Sequence, residues 1–93
     1  MKLNSDSKIT PHADVVWRLV EGEVVLLNVM SGQYYSLDAV GSSVWTMIPA
    51  DGTTLGALRD AALAEFDATP EQVTEDLDSF MERLLSTDLI TIS

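Results

Sequence analysis

The side chains able to do covalent chemistry are few, and their spacing does not assemble a catalytic group. His12 is the only histidine and stands beside Pro11 in a polar segment. With no nucleophile or paired carboxylate arranged around it, it reads as exposed or satisfied rather than catalytic. There is no cysteine, which excludes a thiolate nucleophile, a thiolate metal site and a disulfide framework. Glu71, Glu75, Asp78 and Glu82 recur at i, i+4, i+7 and i+11, one solvated face of a helix. A metal held there would need ligands from elsewhere, and none is evident. Gly52 and Gly56 are isolated, so no phosphate loop is present. The expectation is a chain without a catalytic residue, cofactor or metal.

One short motif points to a covalent arm. Asp78-Ser79-Phe80 resembles the Asp-Ser-Leu site at which acyl carrier proteins, also small and acidic, take phosphopantetheine. Here Ser79 falls inside a helix rather than at its start, and the first third of the chain reads as strands. A tripeptide outside its structural context carries little weight.

What remains is the chemistry of the backbone itself. Gln33, Tyr34, Tyr35, Ser36 and Leu37 follow a Ser-Gly turn and are rich in β-forming side chains. They are the last strand before the chain turns helical at Asp38, whose side chain is placed to cap a helix. A strand in that position lies at a sheet edge, where unpaired N–H and C=O groups can accept an extended peptide.

The elements that must position this strand follow in order. Val15–Val20 and Val24–Val29 read as strands around a turn at Glu21-Gly22, with Asn28 interrupting the second. That interruption assigns Val25, Leu27 and Val29 to the core face. Short spacings favour an antiparallel meander. A helix is expected from Ala39 to Ile48, with Val40, Val44, Met47 and Ile48 on one stripe and Pro49 ending it. Thr53 or Thr54 caps a second helix through Phe66, with Leu55, Leu58, Ala62 and Phe66 inward. Thr69-Pro70-Glu71-Gln72 places an N-cap, a proline at the first helical position and a capping-box glutamine, so a third helix runs from Pro70 to about Thr87. Leu89, Ile90 and Ile92 either add a last strand or pack down. Three strands followed by three helices give an α+β domain over residues 14–93, winged-helix-like in plan, behind a flexible segment at residues 1–13.

Charge separates that plan from a DNA reader. Fifteen acids against five basic residues give −10. The third helix carries Glu71, Glu75, Asp76, Asp78 and Glu82 against the single cation Arg83, so phosphate repels it. Nucleic acid is excluded as a partner. The apolar runs are too short for a membrane span, and residues 1–14 lack the apolar core of a signal peptide, which fits a cytoplasmic protein. A hydrophobic fraction of 46% with mean hydropathy +0.15 is high for so acidic a chain, and favours an exposed binding surface or a homodimer. Val16, Val20, Val24, Leu26 and Tyr34 are the candidates for an outer apolar sheet face. On the third helix, Val73, Leu77, Phe80 and Leu84 form a stripe that Met81 and Leu85 broaden, with Asp76 and Arg83 bordering Phe80.

The block GQYYSLDAVGSSVW, preceded by VVLLNV and followed by VTEDLDSFMERLLSTDLI, resembles the PqqD family of peptide chaperones, also called precursor-peptide recognition elements of ribosomally made natural products. The likeness spans about residues 8–92, and its most specific part is Gly-x-Tyr-Tyr-x-Leu-Asp/Asn-x-x-Gly-x-x-x-Trp. It implies a three-stranded sheet packed on three helices. It further implies that the leader of a precursor peptide adds as a strand along the third strand, clamped by the third helix. Carried onto this chain, the pairing strand is Gln33–Leu37. The helical wall is Val73, Asp76, Leu77, Phe80 and Met81, extended by Arg83 and Leu84; Gly41 and Trp45 read as structural. The family implies no catalysis by this domain. Free-standing members of this size resemble those of lasso-peptide maturation, which work with a separate cysteine protease and an ATP-dependent cyclase. A radical SAM enzyme of pyrroloquinoline quinone biosynthesis is the alternative partner.

Overall fold

The computed structural model describes residues 3–93. Strand β1 covers Lys8–Pro11, β2 Val15–Val20, β3 Glu23–Asn28 and β4 Tyr34–Ser36. Helix α1 (Ala39–Thr46), strand β5 (Thr53–Thr54), helices α2 (Leu55–Glu65) and α3 (Pro70–Ser86), and strand β6 (Ile90–Ile92) complete the chain. The α+β class stands: β2-β3-β4 is an antiparallel meander, and the three helices follow it.

Local chemistry explains the boundaries. Val20 pairs with Glu23, so Glu21 and Gly22 form a two-residue loop, both at positive φ (53° and 84°) as a primed hairpin turn requires. Asp38, Thr54 and Thr69 are N-caps whose side-chain oxygens accept from Gly41, Ala57 and Gln72 amides at 2.7, 3.2 and 3.2 Å. Only half of the expected capping box forms, because the Gln72 amide donates to Asp76 Oδ1 at 3.0 Å instead of turning back.

The core face of β3 is the opposite of the one expected. Val24 and Leu26 are fully buried and Asn28 nearly so, whereas Val29 is exposed. Asn28 can be buried because its Oδ1 accepts from the Met30 and Ser31 amides at 3.0 and 3.1 Å, which turns the chain into β4. The polar residue is therefore a buried turn-maker, and Val25 and Leu27 point outward with Val16, Val20 and Tyr34. Val40, expected on the core stripe of α1, is likewise exposed.

A second sheet, in the order β5-β1-β6, was not legible in the pattern. Residues 8–11, assigned to the flexible N-terminal segment, are its central strand, and Ile9 is fully buried between Thr53 and Ile92. Residues 1 and 2 of that segment lie outside the described residues. Leu89 and Ile90 are buried, so the chain end adds a strand as well as packing down. Each sheet's ladder runs one residue past its strands, with His12 N–H donating to Leu89 C=O (3.0 Å) beyond the β1–β6 pair and Val29 N–H donating to Asp14 C=O (2.9 Å) beyond the β2–β3 pair. Trp45, Leu26, Met81, Leu58 and Ile9 fill the space between sheets and helices. Trp17 covers Trp45 edge-on, with ring centroids 6.3 Å apart.

Candidate functional site

β4 pairs only with β3 and ends the meander, so its other side is an open edge among the described residues. Its register fixes which groups are free. Leu37 N–H donates to Val24 C=O at 2.9 Å, and Asn28 N–H donates to Gln33 C=O at 3.0 Å. Antiparallel pairing alternates, so Gln33, Tyr35 and Leu37 face β3 with their backbone groups, while Tyr34 and Ser36 turn theirs outward. Tyr34 is 71% exposed, whereas Tyr35 packs against the core.

The mouth of this edge is held by Ser42. Its buried hydroxyl accepts from Val24 N–H at 2.8 Å and donates to Leu37 C=O at 3.2 Å, linking β3, the end of β4 and α1. Gly41 keeps the next turn narrow: a Cβ there would lie 3.4 Å from Phe80 Cε1 and 3.2 Å from Asp38 Oδ1. The absence of a side chain at Gly41 lets the Phe80 ring lie against α1.

Beside the edge opens a groove of about 710 Å³, within the range of ligand sites. Of the twelve residues expected to bind, Ser36, Leu37, Val73, Asp76, Leu77, Phe80 and Arg83 line it. Gln33, Tyr34 and Tyr35 lie along the strand that leads into it. Met81 and Leu84 do not line it. Both are buried in the core: Met81, one residue beyond Phe80, is turned about 100° toward the sheets, and Leu84 lies along the Leu77 stripe.

The groove extends further than expected, between α1, α2 and α3. Val40, Val44, Ala62, Phe66 and Ala68 contribute apolar wall, and Asp38, Gly41 and Ser79 also reach it. Phe66, expected wholly inward, is half-buried there. Helical periodicity marks Val44, Ala62 and Phe66 as apolar positions, but no pattern in the sequence shows that three helices leave a gap between them. The exposure of Val40 and the small side chain of Ala68 likewise gain meaning only from the packing.

The arrangement suits binding more than bond-making. His12 Nδ1 accepts from the Asp14 amide at 3.1 Å and lies outside the groove. No group of three or more potential metal ligands converges among the described residues. Nor is any described helix long and apolar enough to cross a membrane.

Comparison with known proteins places this geometry in context. The sequence model of the family described as coenzyme PQQ synthesis protein D (PqqD) matches residues 23–90. The solved structure of TbiB1 in complex with the TbiA(β) leader peptide is 33% identical, with a TM-score of 0.79 over 87% of this chain and 93% of that one. Lasso peptide synthetase B1 complexed with the leader peptide is 14% identical, with a TM-score of 0.76 over 89% of this chain and 96% of that one. At that identity the second likeness is one of fold alone. No curated protein matches.

Proposed function

The chain belongs to the PqqD family, and from that membership we propose that it is a non-catalytic binder of the leader region of a ribosomally made precursor peptide. The leader adds as a strand to β4 and is clamped by α3. The observation that carries this reading is the open edge of β4 beside the groove, with the outward backbone groups of Tyr34 and Ser36 at its lip. Main-chain pairing gives affinity without regard to sequence, and the apolar wall at Val73, Leu77 and Phe80 selects side chains. The wall also takes in Asp76 and Arg83, while Met81 and Leu84 support it from behind.

The bound leader is then delivered to separate maturation enzymes. Resemblance to the free-standing elements of lasso-peptide maturation, which are of this size, favours a cysteine protease and a cyclase as recipients. The likeness to leader-bound TbiB1 over most of both chains supports the leader-binding part of the reading. The family's own description keeps a radical SAM enzyme of quinone-cofactor synthesis as the alternative. Reading frames beside the gene discriminate: a short precursor with a protease and an asparagine-synthetase-like cyclase supports the first. Binding itself is tested by fluorescence anisotropy with the labelled leader of that precursor. Saturable binding, lost when the leader is scrambled, is expected; none at concentrations well above micromolar would refute the reading.

A second reading is that the chain also self-associates. It is favoured by β2, an edge strand on which Val16, Trp17, Leu19 and Val20 are all exposed. Light scattering over a concentration series tests it, and a constant monomer mass would dismiss it.

A further inference from the structure

One charged group of the groove lining has no partner among the described residues. Asp38 Oδ1 accepts from Gly41 N–H at 2.7 Å, and Asp76 Oδ1 accepts from the Gln72 side chain at 3.0 Å, so each acid already has a partner within its own helix. Arg83, the single cation of the lining, has no side-chain hydrogen bond and no ion pair among the described residues. Its backbone carbonyl is used by Thr87 and Ser86, but the guanidinium is free. A planar fork of donors beside an apolar wall is the arrangement that recognises a carboxylate.

We propose that Arg83 is the specificity-determining cation of the groove, and that the extended peptide bound there carries an Asp or Glu side chain to meet it. This rests on the reading of the groove as a peptide site. A chain of net charge −10 repels acidic peptides as a whole. A carboxylate is therefore tolerated only where a local cation receives it, and its position becomes a mark of the correct peptide. Val73 and Arg83 are separated by about 15 Å along the helix, the reach of four to five extended residues. The carboxylate thus lies about four residues from the apolar side chain that settles against Val73, on the same face of the peptide. A cation in the last turns of α3 also complements the helix dipole, but Lys would serve that role equally and would not supply the fork.

The test is selection of a displayed library of random linear peptides against the wild-type protein and Arg83→Glu. Anisotropy titration of the best wild-type peptide and of its acid-to-Lys counterpart follows. The wild type should enrich peptides with Asp or Glu at a fixed distance from an apolar residue. Arg83→Glu should weaken the acidic peptide about tenfold or more and regain affinity for the Lys counterpart, which the wild type rejects. Arg83→Gln, which only removes the charge, gives the same first result if reversal at the helix end unfolds the protein. Enriched peptides with no acidic preference, or equal weakening of both peptides, would overturn the role of Arg83 and leave peptide binding intact. Failure of the wild type to enrich any peptide would overturn the peptide-site reading, and this inference with it.

Discussion

Replacing Ser36 with proline tests strand addition at the backbone level. Ser36 opposes Val25 in a pair whose backbone groups do not bond to each other, so its N–H points away from β3. Proline removes that donor and leaves the β3–β4 ladder whole, and edge strands tolerate proline on the outward side. The preceding residue, Tyr35, is already extended, as a residue before proline must be. The loss is one backbone hydrogen bond, about 1 kcal/mol net, together with a carbonyl of the bound peptide left unpaired, a further 1–3 kcal/mol or so. Affinity should fall by roughly 30- to 850-fold, corresponding to about 2–4 kcal/mol. Ser36→Ala, which keeps the N–H, should change affinity by less than about threefold, within 0.5 kcal/mol or so. The assay is anisotropy of the labelled leader, with the combined tryptophan emission of the Trp17–Trp45 pair reporting that both variants fold. A folded Ser36→Pro protein that binds as the wild type does would mean that no strand adds at β4.

Three further outcomes follow from the same geometry. Phe80→Ala should weaken leader binding by about 2 kcal/mol or more, measured in the same titration, because the ring forms the wall where α1 and α3 approach through Gly41. Ser42→Ala strips the buried Val24 N–H of its partner and should cost about 1–3 kcal/mol of stability, read by calorimetry as a drop of roughly 5–20 °C in Tm. Met81→Ala should destabilise by about 2–5 kcal/mol in urea titration, yet leave the affinity of the folded fraction near wild type, because Met81 lies in the core and outside the groove.

Much of the site was readable because its parts are local. Asp38 and Thr69 name helix starts through side-chain chemistry that acts over three residues. The stripe Val73, Leu77, Phe80 follows from the pitch of a helix, and the turns around Gln33–Leu37 bound the strand. The inverted face of β3 shows where this fails. Asn28 reads as a surface residue by type, and only the tight turn to Met30 and Ser31 gives its side chain two donors in the interior. The second sheet failed for another reason. Lys8–Pro11 carries one apolar side chain, and its strand character comes from partners more than forty positions away at Thr53 and Thr54 and at the chain end.

The sequence alone settled the α+β class, the starts of the first and third helices, the absence of cysteine and a strongly acidic net charge, since each depends on residue type or on spacing within a few turns. Tertiary structure decided that the open side of β4 borders a groove, which residues of α3 face that groove and which the core, and that α2 helps to wall it. Those depend on how separate elements close on one another, and no local period records that closure.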